Sequence, residues 1–403
     1  MEFDFETYMQ EFISKEDLNV YNYDINQLKA YLNKDKPMMG WYDLDTLFDE
    51  SLIKEIEQTA DYIRNNCDVF LVLGIGGSYL GALTVIEALN PYFYNQVKKP
   101  EIYFIGTNLS ADYYHDLINL IKDKEIIVNV ISKSGTTLEV SIAYQLIMDL
   151  MKEKYAENEL KKRLIITTDV VKGKLREEVN KYGYKSFIVP DNIGGRYSVF
   201  TPVGLLPIAV SNINIRQLGF GAKQASLNLN NPIKYAVIRD MMAKKGKLVE
   251  AYTVYEPKLY ALTEWLKQLY AESLGKEGKG TLPISLINTR DLHSLGQFIQ
   301  QGSKILLETV INVKEPQNDT LIGTYNKTLS QINNIAMHAT IKAHNQGQVP
   351  NNIISLPILN EVNMGYLLQF FMISCALNGY LMGVNPFDQP GVEDYKRIIN
   401  ETL

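Results

Sequence analysis

The feature that most constrains this chain is a rhythm. Short runs that are apolar at almost every position alternate with longer stretches that are apolar at helical spacing. Asp68-Val-Phe-Leu-Val-Leu73 is the plainest such run, and Gly74-Ile-Gly-Gly77 follows it directly. A strand without a polar face must be covered on both sides, as in a parallel sheet wrapped by crossover helices. The pattern continues through SYLGALTVIEAL (78–89), EIYFIGT (101–107), ADYYHDLINLIKD (111–123), EIIVNVIS (125–132), a helical stretch to about Tyr155, RLIITTD (163–169), GKLREEVNKYG (173–183) and KSFIVP (185–190). Five strands alternating with helices predict an α/β parallel sheet. A second alternating unit starts near Ile233, with strands at 248–255, 281–288, 305–313 and 351–358.

The expected layout is a helical segment over 1–66, a first α/β domain over 67–205, a second over 206–360 and a C-terminal helical arm over 361–403. Residues 191–209, DNIGGRYSVFTPVGLLPIA, carry Gly194, Gly195, Pro202 and Pro207. They read as a loop leading into a helix rather than as a flexible linker. From Val362 to Phe387 there is no charge, and the stretch is long enough to span a bilayer. Gln369, Ser374 and Asn378 interrupt it and no basic cluster flanks it, so a helix buried in a large core is the preferred reading and no membrane partner is expected.

A net charge of −6 gives no reason to expect nucleic acid or an acidic membrane surface as partner, so attraction for an anion must be local. Two cysteines, Cys67 and Cys375, without a C-x-x-C fit a reducing compartment and leave no disulfide framework. The start, MEFDFETYMQEF, has no signal-peptide core, so a cytoplasmic location is expected.

Ile131-Ser132-Lys133-Ser134-Gly135-Thr136-Thr137-Leu138-Glu139 lies on a strand-to-helix turn. Thr136 and Glu139 stand at capping-box spacing, which predicts a helix start at Thr136. Free N–H groups at a helix start, hydroxyl donors and the Lys133 ammonium suit a phosphate monoester. An ordinary Ser/Thr-rich loop has the same composition. Gly74–Ser78 superficially resembles a dinucleotide-binding turn. That use needs an acid at the end of the next strand, and Ile105-Gly-Thr-Asn108 has none. Ser78, read also as the cap of the following helix, becomes a second wall of a phosphate or sugar pocket, with a plain tight turn as the alternative.

Gly194-Gly195-Arg196 places a permanent charge with a rigid donor fork on a glycine turn. Gln268 and Glu272 are four apart and share a helix face, with Gly275 as the expected stop. A carboxylate near a helix C-terminus meets the negative end of the dipole, which favours its protonated form and suits a base poised nearer neutrality. Of four histidines, His293 lies in a loop after a strand and is the best candidate for proton transfer. His115, His338 and His344 have no partner at metal-ligand spacing, so no metal is expected. Gln389 and Pro390 lead into a helix bearing Lys396, another anion-facing element or simply an exposed lysine.

Taken together, the stretches GIGGSYLGA, ISKSGTTLE, DNIGGRYSVFTPVG (191–204), QLYAESLGK, TRDLHSLGQ and GYLMGVNPFDQPGVEDYK (379–396) resemble, in order, the glucose-6-phosphate isomerase family in its shorter bacterial form. The resemblance covers nearly the whole chain and is weak before Leu71. It implies two sugar-isomerase (SIS) domains, each a parallel sheet flanked by helices. It also implies an aldose–ketose isomerase without cofactor or metal, acting through a cis-enediol in glycolysis and gluconeogenesis. Ser132, Ser134 and Thr137 then hold the substrate phosphate, with Ser78, Lys133 and Gly195 close by. Glu272 corresponds to the base, Arg196 to the stabiliser of the enediolate, His293 and Lys396 to the ring-opening groups, and Gln268 and Gln389 to substrate contacts. A homodimer whose sites borrow His293 from the partner chain is expected. A dual glucose/mannose phosphate isomerase and a sugar-phosphate-sensing regulator are the rivals. A sensor has no need of Glu272, His293 and Lys396 together.

Overall fold

The computed structural model describes residues 1–14, 17 and 25–402. The chain forms two compact units, Lys34–Gly219, and Met1–Asn33 together with Phe220–Leu403. It begins with a short strand, β1 (Glu2–Asp4), where a helical segment was expected. The middle of that expected helical stretch, 15, 16 and 18–24, lies outside the described residues, as does Leu403.

In Lys34–Gly219, helix α1 (Glu50–Asn66) starts at Asp49, whose side chain accepts from the N–H groups of Ser51 and Leu52. The sheet that follows has strands β2 (Val69–Leu73), β3 (Glu101–Ile105), β4 (Ile126–Ile131), β5 (Leu164–Thr168) and β6 (Lys185–Ile188). They are parallel and ordered β3-β2-β4-β5-β6. Every residue of β2 and β4 is buried, as their uniform apolarity requires. The crossovers are α2 (Leu80–Leu89), α3 (Ala111–Ile121), α4 (Leu138–Lys154) and α5 (Lys174–Tyr182). Val140, Ala143, Ile147 and Met151 of α4 and Leu175 and Val179 of α5 close over Val128, Val130, Leu164 and Ile166. Each large aliphatic side chain so buried contributes about 1.5–3 kcal/mol. Helix α6 (Pro202–Val210), capped by Thr201, is buried throughout and packs on α1, so residues 34–66 belong with this sheet. Helix α7 (Ile215–Leu227) follows.

The second unit repeats the plan. Its strands are β7 (Val249–Val254), β8 (Leu282–Ile287), β9 (Leu306–Val313), a small hairpin of β10 (Leu321–Ile322) and β11 (Lys327–Thr328), and β12 (Asn351–Leu356). The large sheet runs β1-β12-β9-β7-β8, parallel except for β1. Its helices include a short one at Ile25–Tyr31, α8 (Asn230–Lys244), α9 (Tyr260–Leu274), α10 (Gly296–Gln301), α11 (Leu329–Gln346), α12 (Glu361–Met382) and α13 (Glu393–Thr402). Antiparallel pairing of Glu2 with Ser355 supplies the backbone partners that make β1 a strand. Helix α12 is long and apolar enough to cross a membrane, but most of it is buried against α8 and α9. Both chain ends therefore belong with the second sheet, beyond the expected 206–360, and α12 is its core rather than an arm.

This second core is not purely apolar. Arg239 of α8 donates through Nε to Glu250 Oε2 of β7 at 2.5 Å and through a terminal nitrogen to Thr281 Oγ1 at 3.0 Å. Tyr235 and Thr309 hydroxyls donate to Glu250 Oε1 at 2.7 and 2.8 Å, and the Arg239 guanidinium lies 4.0 Å from the Tyr270 ring centre. On the other face His344 Nδ1 and Glu308 Oε2 are 2.8 Å apart, both buried.

Candidate active site

In a doubly wound sheet, ligands bind beyond the carboxyl ends of the strands where the strand order reverses. In Lys34–Gly219 that point lies between β2, whose neighbour β3 follows in sequence on one side, and β4 on the other. The two loops leaving it are Gly74–Ser78 and Ser132–Thr137. Gly77 lies so close to the turn bearing Arg196 that a Cβ there would stand 2.0 Å from Gly195 O. Ser198 Oγ donates to Gly195 O at 2.6 Å and holds that turn. The Arg196 side chain is buried beside Tyr197. Lys133 Nζ donates to Asp191 O and pairs with Asp191 Oδ1, both at 3.1 Å, joining the 132–137 loop to the loop carrying Gly195.

Within the 132–137 loop, Gly135 takes a φ of +69° and its N–H donates to Ser132 Oγ at 3.1 Å. The Thr136 hydroxyl donates to Ser134 Oγ at 2.9 Å, so it is spent inside the loop. The capping box expected of Thr136 and Glu139 does not form. Thr137, extended at φ −63° and ψ 120°, is the N-cap, and its hydroxyl makes no cap bond. Ser78 does not cap α2 either. It ends a 3-10 turn, Gly76–Ser78, and Tyr79 precedes the helix. A cavity of about 140 Å³ lies under the loop, lined by Ser132, Gly135, Ser141, Tyr144, Lys174 and Glu178 among others. Ser78, Ser132, Lys133, Ser134, Thr137, Gly195 and Arg196 thus gather on one sheet edge, around the positive end of α4.

In the other unit, α9 returns from the carboxyl edge of the sheet to its amino edge, as a crossover between parallel strands must. Glu272 is in its last turn, and Gly275 ends the helix with its N–H on Ala271 O at 2.9 Å. Gln268 Nε2 donates to Glu272 Oε2 at 3.3 Å, while Gln268 Oε1 is buried without a hydrogen-bond partner among the described residues. A buried orphan acceptor is costly and marks a place where a donor from a ligand fits. Lys276 pairs with Asp388 Oδ1 at 2.6 Å and draws the segment before Gln389 to this end of α9. Lys396, on α13, is half exposed with its Nζ 2.9 Å from Glu393 Oε1.

His293 is elsewhere. It closes a 3-10 turn, Arg290–His293, at the far end of β8. Asp291 organises that turn: Oδ2 accepts from Ile287 N–H at 2.7 Å, and Arg290 lies against the carboxylate at 2.8 Å. The Arg290 guanidinium, chiefly, holds the Asp291 carboxyl below the usual carboxylate range. Strand β8 separates His293 from the Glu272 end of α9, and six extended residues span roughly 20 Å. Gln268, Glu272 and Gln389 are on one edge of the second sheet and His293 is on the other.

Two sheets that share a parallel order over four strands, with a hydroxyl-rich helix start on one and a helix-borne carboxylate on the other, define the sugar-phosphate isomerase class. The sequence profile of the phosphoglucose isomerase family matches residues 57–403. The chain is 44% identical to the glucose-6-phosphate isomerase of Caldanaerobacter subterraneus subsp. tengcongensis over 89% of its own length and 85% of that protein's. The same figures hold for the glucose-6-phosphate isomerase of Clostridioides difficile. Its fold matches the crystal structure of a hypothetical protein from Thermus thermophilus with a TM-score of 0.86 at 27% identity, over 94% of this chain and 93% of that one. It matches a glucose-6-phosphate isomerase from Chlamydia trachomatis with a TM-score of 0.78 at 20% identity, over 93% and 77%. The chain belongs to the phosphoglucose isomerase family.

Three residues around these edges had no role in the sequence. Asp191, Asp291 and Lys276 each hold a loop that carries a candidate residue, and all three sit inside the six motif stretches. That position was their only signal: the partners of Asp191 and Lys276 are 58 and 112 positions away, and the four-residue contact of Asp291 with Ile287 N–H spans a strand end and a turn rather than a helix.

Proposed function

We propose that this chain interconverts glucose 6-phosphate and fructose 6-phosphate, as the names of its relatives suggest. Ser132, Ser134 and Thr137, with Ser78 and Lys133, hold the phosphate at the start of α4. Lys396 and His293 open the ring by moving a proton between the ring oxygen and the anomeric hydroxyl. Glu272 then takes the C2 proton of the open-chain aldose and returns it to C1, while the hydroxyl proton at C2 passes to the C1 oxygen. The intermediate is a cis-enediol, and Arg196 faces the negative charge that grows on its oxygens. Gln268, whose Oε1 is an orphan acceptor, and Gln389 take the sugar hydroxyls. Cys67 and Cys375, both thiols rather than halves of a disulfide, suit action in the cytoplasm.

The observation that carries the assembly is the placement of His293 and Glu272 on opposite edges of one sheet. A site that uses both draws them from two copies, so the active form is a homodimer with shared sites. Apolar side chains exposed on the hairpin and the start of α11, Leu321, Tyr325, Leu329 and Ile335, fit a surface covered by a second copy. Coupled assays with fructose 6-phosphate and, separately, mannose 6-phosphate test the reaction and its breadth. Mixing inactive His293→Ala and Glu272→Gln chains tests the sharing. A heterodimer then has one site with both groups intact and recovers up to about half the activity of a wild-type dimer, if sites act independently. Verified heterodimers that stay inactive exclude shared sites.

A further inference from the structure

Lys276 is the last residue of QLYAESLGK and has no part in the chemistry above. It follows the residue that ends α9, one turn beyond Glu272. The loop it opens is tightly wound. Lys279 N–H donates to Lys276 O at 2.8 Å, and Glu277, Gly278 and Gly280 all take positive φ. A Cβ on Gly280 would lie 2.7 Å from Leu274 O, so the loop folds back on the end of α9. From this base the Lys276 side chain, only 11% exposed, reaches segment 385–388. Its Nζ donates to the backbone oxygens of Asn385 and Asp388, the latter at 2.5 Å, and to Asp388 Oδ1 at 2.6 Å. An ammonium has three donors, and here one loop takes all three. The loop is braced further by Asn385, whose Nδ2 donates to Asp388 Oδ2 at 3.0 Å and whose Oδ1 accepts from Phe387 N–H at 3.1 Å. The next residue is Gln389, and Pro390–Val392 then turns into α13 with Lys396.

We infer that Lys276 is a positioning residue: by holding the two carbonyls it sets where Gln389 stands relative to Glu272. This rests on the reading of Glu272 as the base and Gln389 as a substrate contact. The ion pair with Asp388 is the lesser part of the clamp, because that carboxylate is 54% exposed and pairs with a solvated partner contribute little. The two carbonyl contacts fix main chain, and only a compact ammonium reaches three converging acceptors. The planar guanidinium of arginine does not match them.

The geometry therefore ranks the variants. K276M and K276R lower kcat/KM for fructose 6-phosphate by about 10- to 100-fold, the range that small misplacements produce. D388N, which keeps both carbonyl contacts, stays within about threefold. In a double-mutant cycle K276M costs much less in a Q389A background than in wild type, because both act through one contact. Hydrogen exchange of the amides in 385–392 accelerates in K276M and K276R but not in D388N, with the amides of α9 unchanged. If K276M does not fold, K276R takes its place in the cycle. Fully multiplicative effects of K276M and Q389A overturn the inference, as do equal losses in K276M and D388N or unchanged exchange in 385–392. A wild-type protein inactive on fructose 6-phosphate defeats the functional reading alone, since the exchange measurement still tests the clamp.

Discussion

The two large sheets share an order and differ in what they bury. In one, β3-β2-β4-β5 is covered by aliphatic side chains, and Asn129 is the single polar residue in its two central strands. In the other, β8-β7-β9-β12 is the same arrangement, yet its central strands bury Glu250, Tyr252, Thr253, Glu308 and Thr309. Topology is therefore set by coverage on both faces and not by uniform apolarity. A buried ion pair adds little net stability over an apolar pair of the same volume. It does penalise any packing that separates its members, and the Arg239–Glu250 pair joins α8 to β7 in this way. The sheet with the simpler core carries the candidate anion cradle. The one with the polar core carries the candidate base.

The sharpest test of that division is Glu272→Gln. It keeps the shape and removes the basic oxygen, and losing a positioned base costs about 10²- to 10⁴-fold in rate. We expect kcat to fall far more than substrate affinity, because the cradle belongs to the other unit. In heavy water the variant should no longer place deuterium at C2 of recovered glucose 6-phosphate, while anomer interconversion persists. Near-normal exchange would show that another group is the base.

A second comparison concerns the cores. Arg239→Met leaves Glu250 buried and uncompensated and should destabilise the protein by about 3–5 kcal/mol, read as a lowered urea midpoint. Adding Glu250→Leu should recover much of that loss. Should the double variant unfold no later than the single one, the polar core is not a replaceable solution to the same packing problem and the comparison breaks.

The last expectation concerns the candidate cradle. Ser132→Ala with Thr137→Ala should raise KM for fructose 6-phosphate by about 1–3 kcal/mol per lost charge-assisted bond. The C2 exchange of bound substrate should persist. An unchanged KM would move the phosphate away from the start of α4.

Much of this was legible because strand and helix patterns alternate: all nine parallel strands among the described residues fall within stretches the sequence marks as strands. What escaped depended on distant partners. Nothing local marks Glu2–Asp4 as a strand, since its partner is β12. Helix α7 was missed because Gly219 and Gly221 weaken its pattern. Both are there for contact: a Cβ on Gly219 would meet the Phe48 ring at 2.4 Å, and one on Gly221 would meet Val362 O at 1.9 Å. The hairpin β10–β11 has strands of two residues, too short for periodicity. Site chemistry was readable as residue type on loops. Which loops are tied together was not, because a lysine holding carbonyls, as Lys133 and Lys276 do, leaves no trace in spacing.

The pairing of β1 with β12 has a consequence during synthesis. Residues 34–219 are contiguous, so that unit has all its strands once residue 219 has left the ribosome. The first strand has to wait. Its partner begins at Asn351, which at roughly 5–20 residues per second is synthesised some 7 to 26 seconds later. For that interval Glu2-Phe3-Asp4 lacks the strand it pairs with. The sheet it completes closes that edge only after Leu356 has been made.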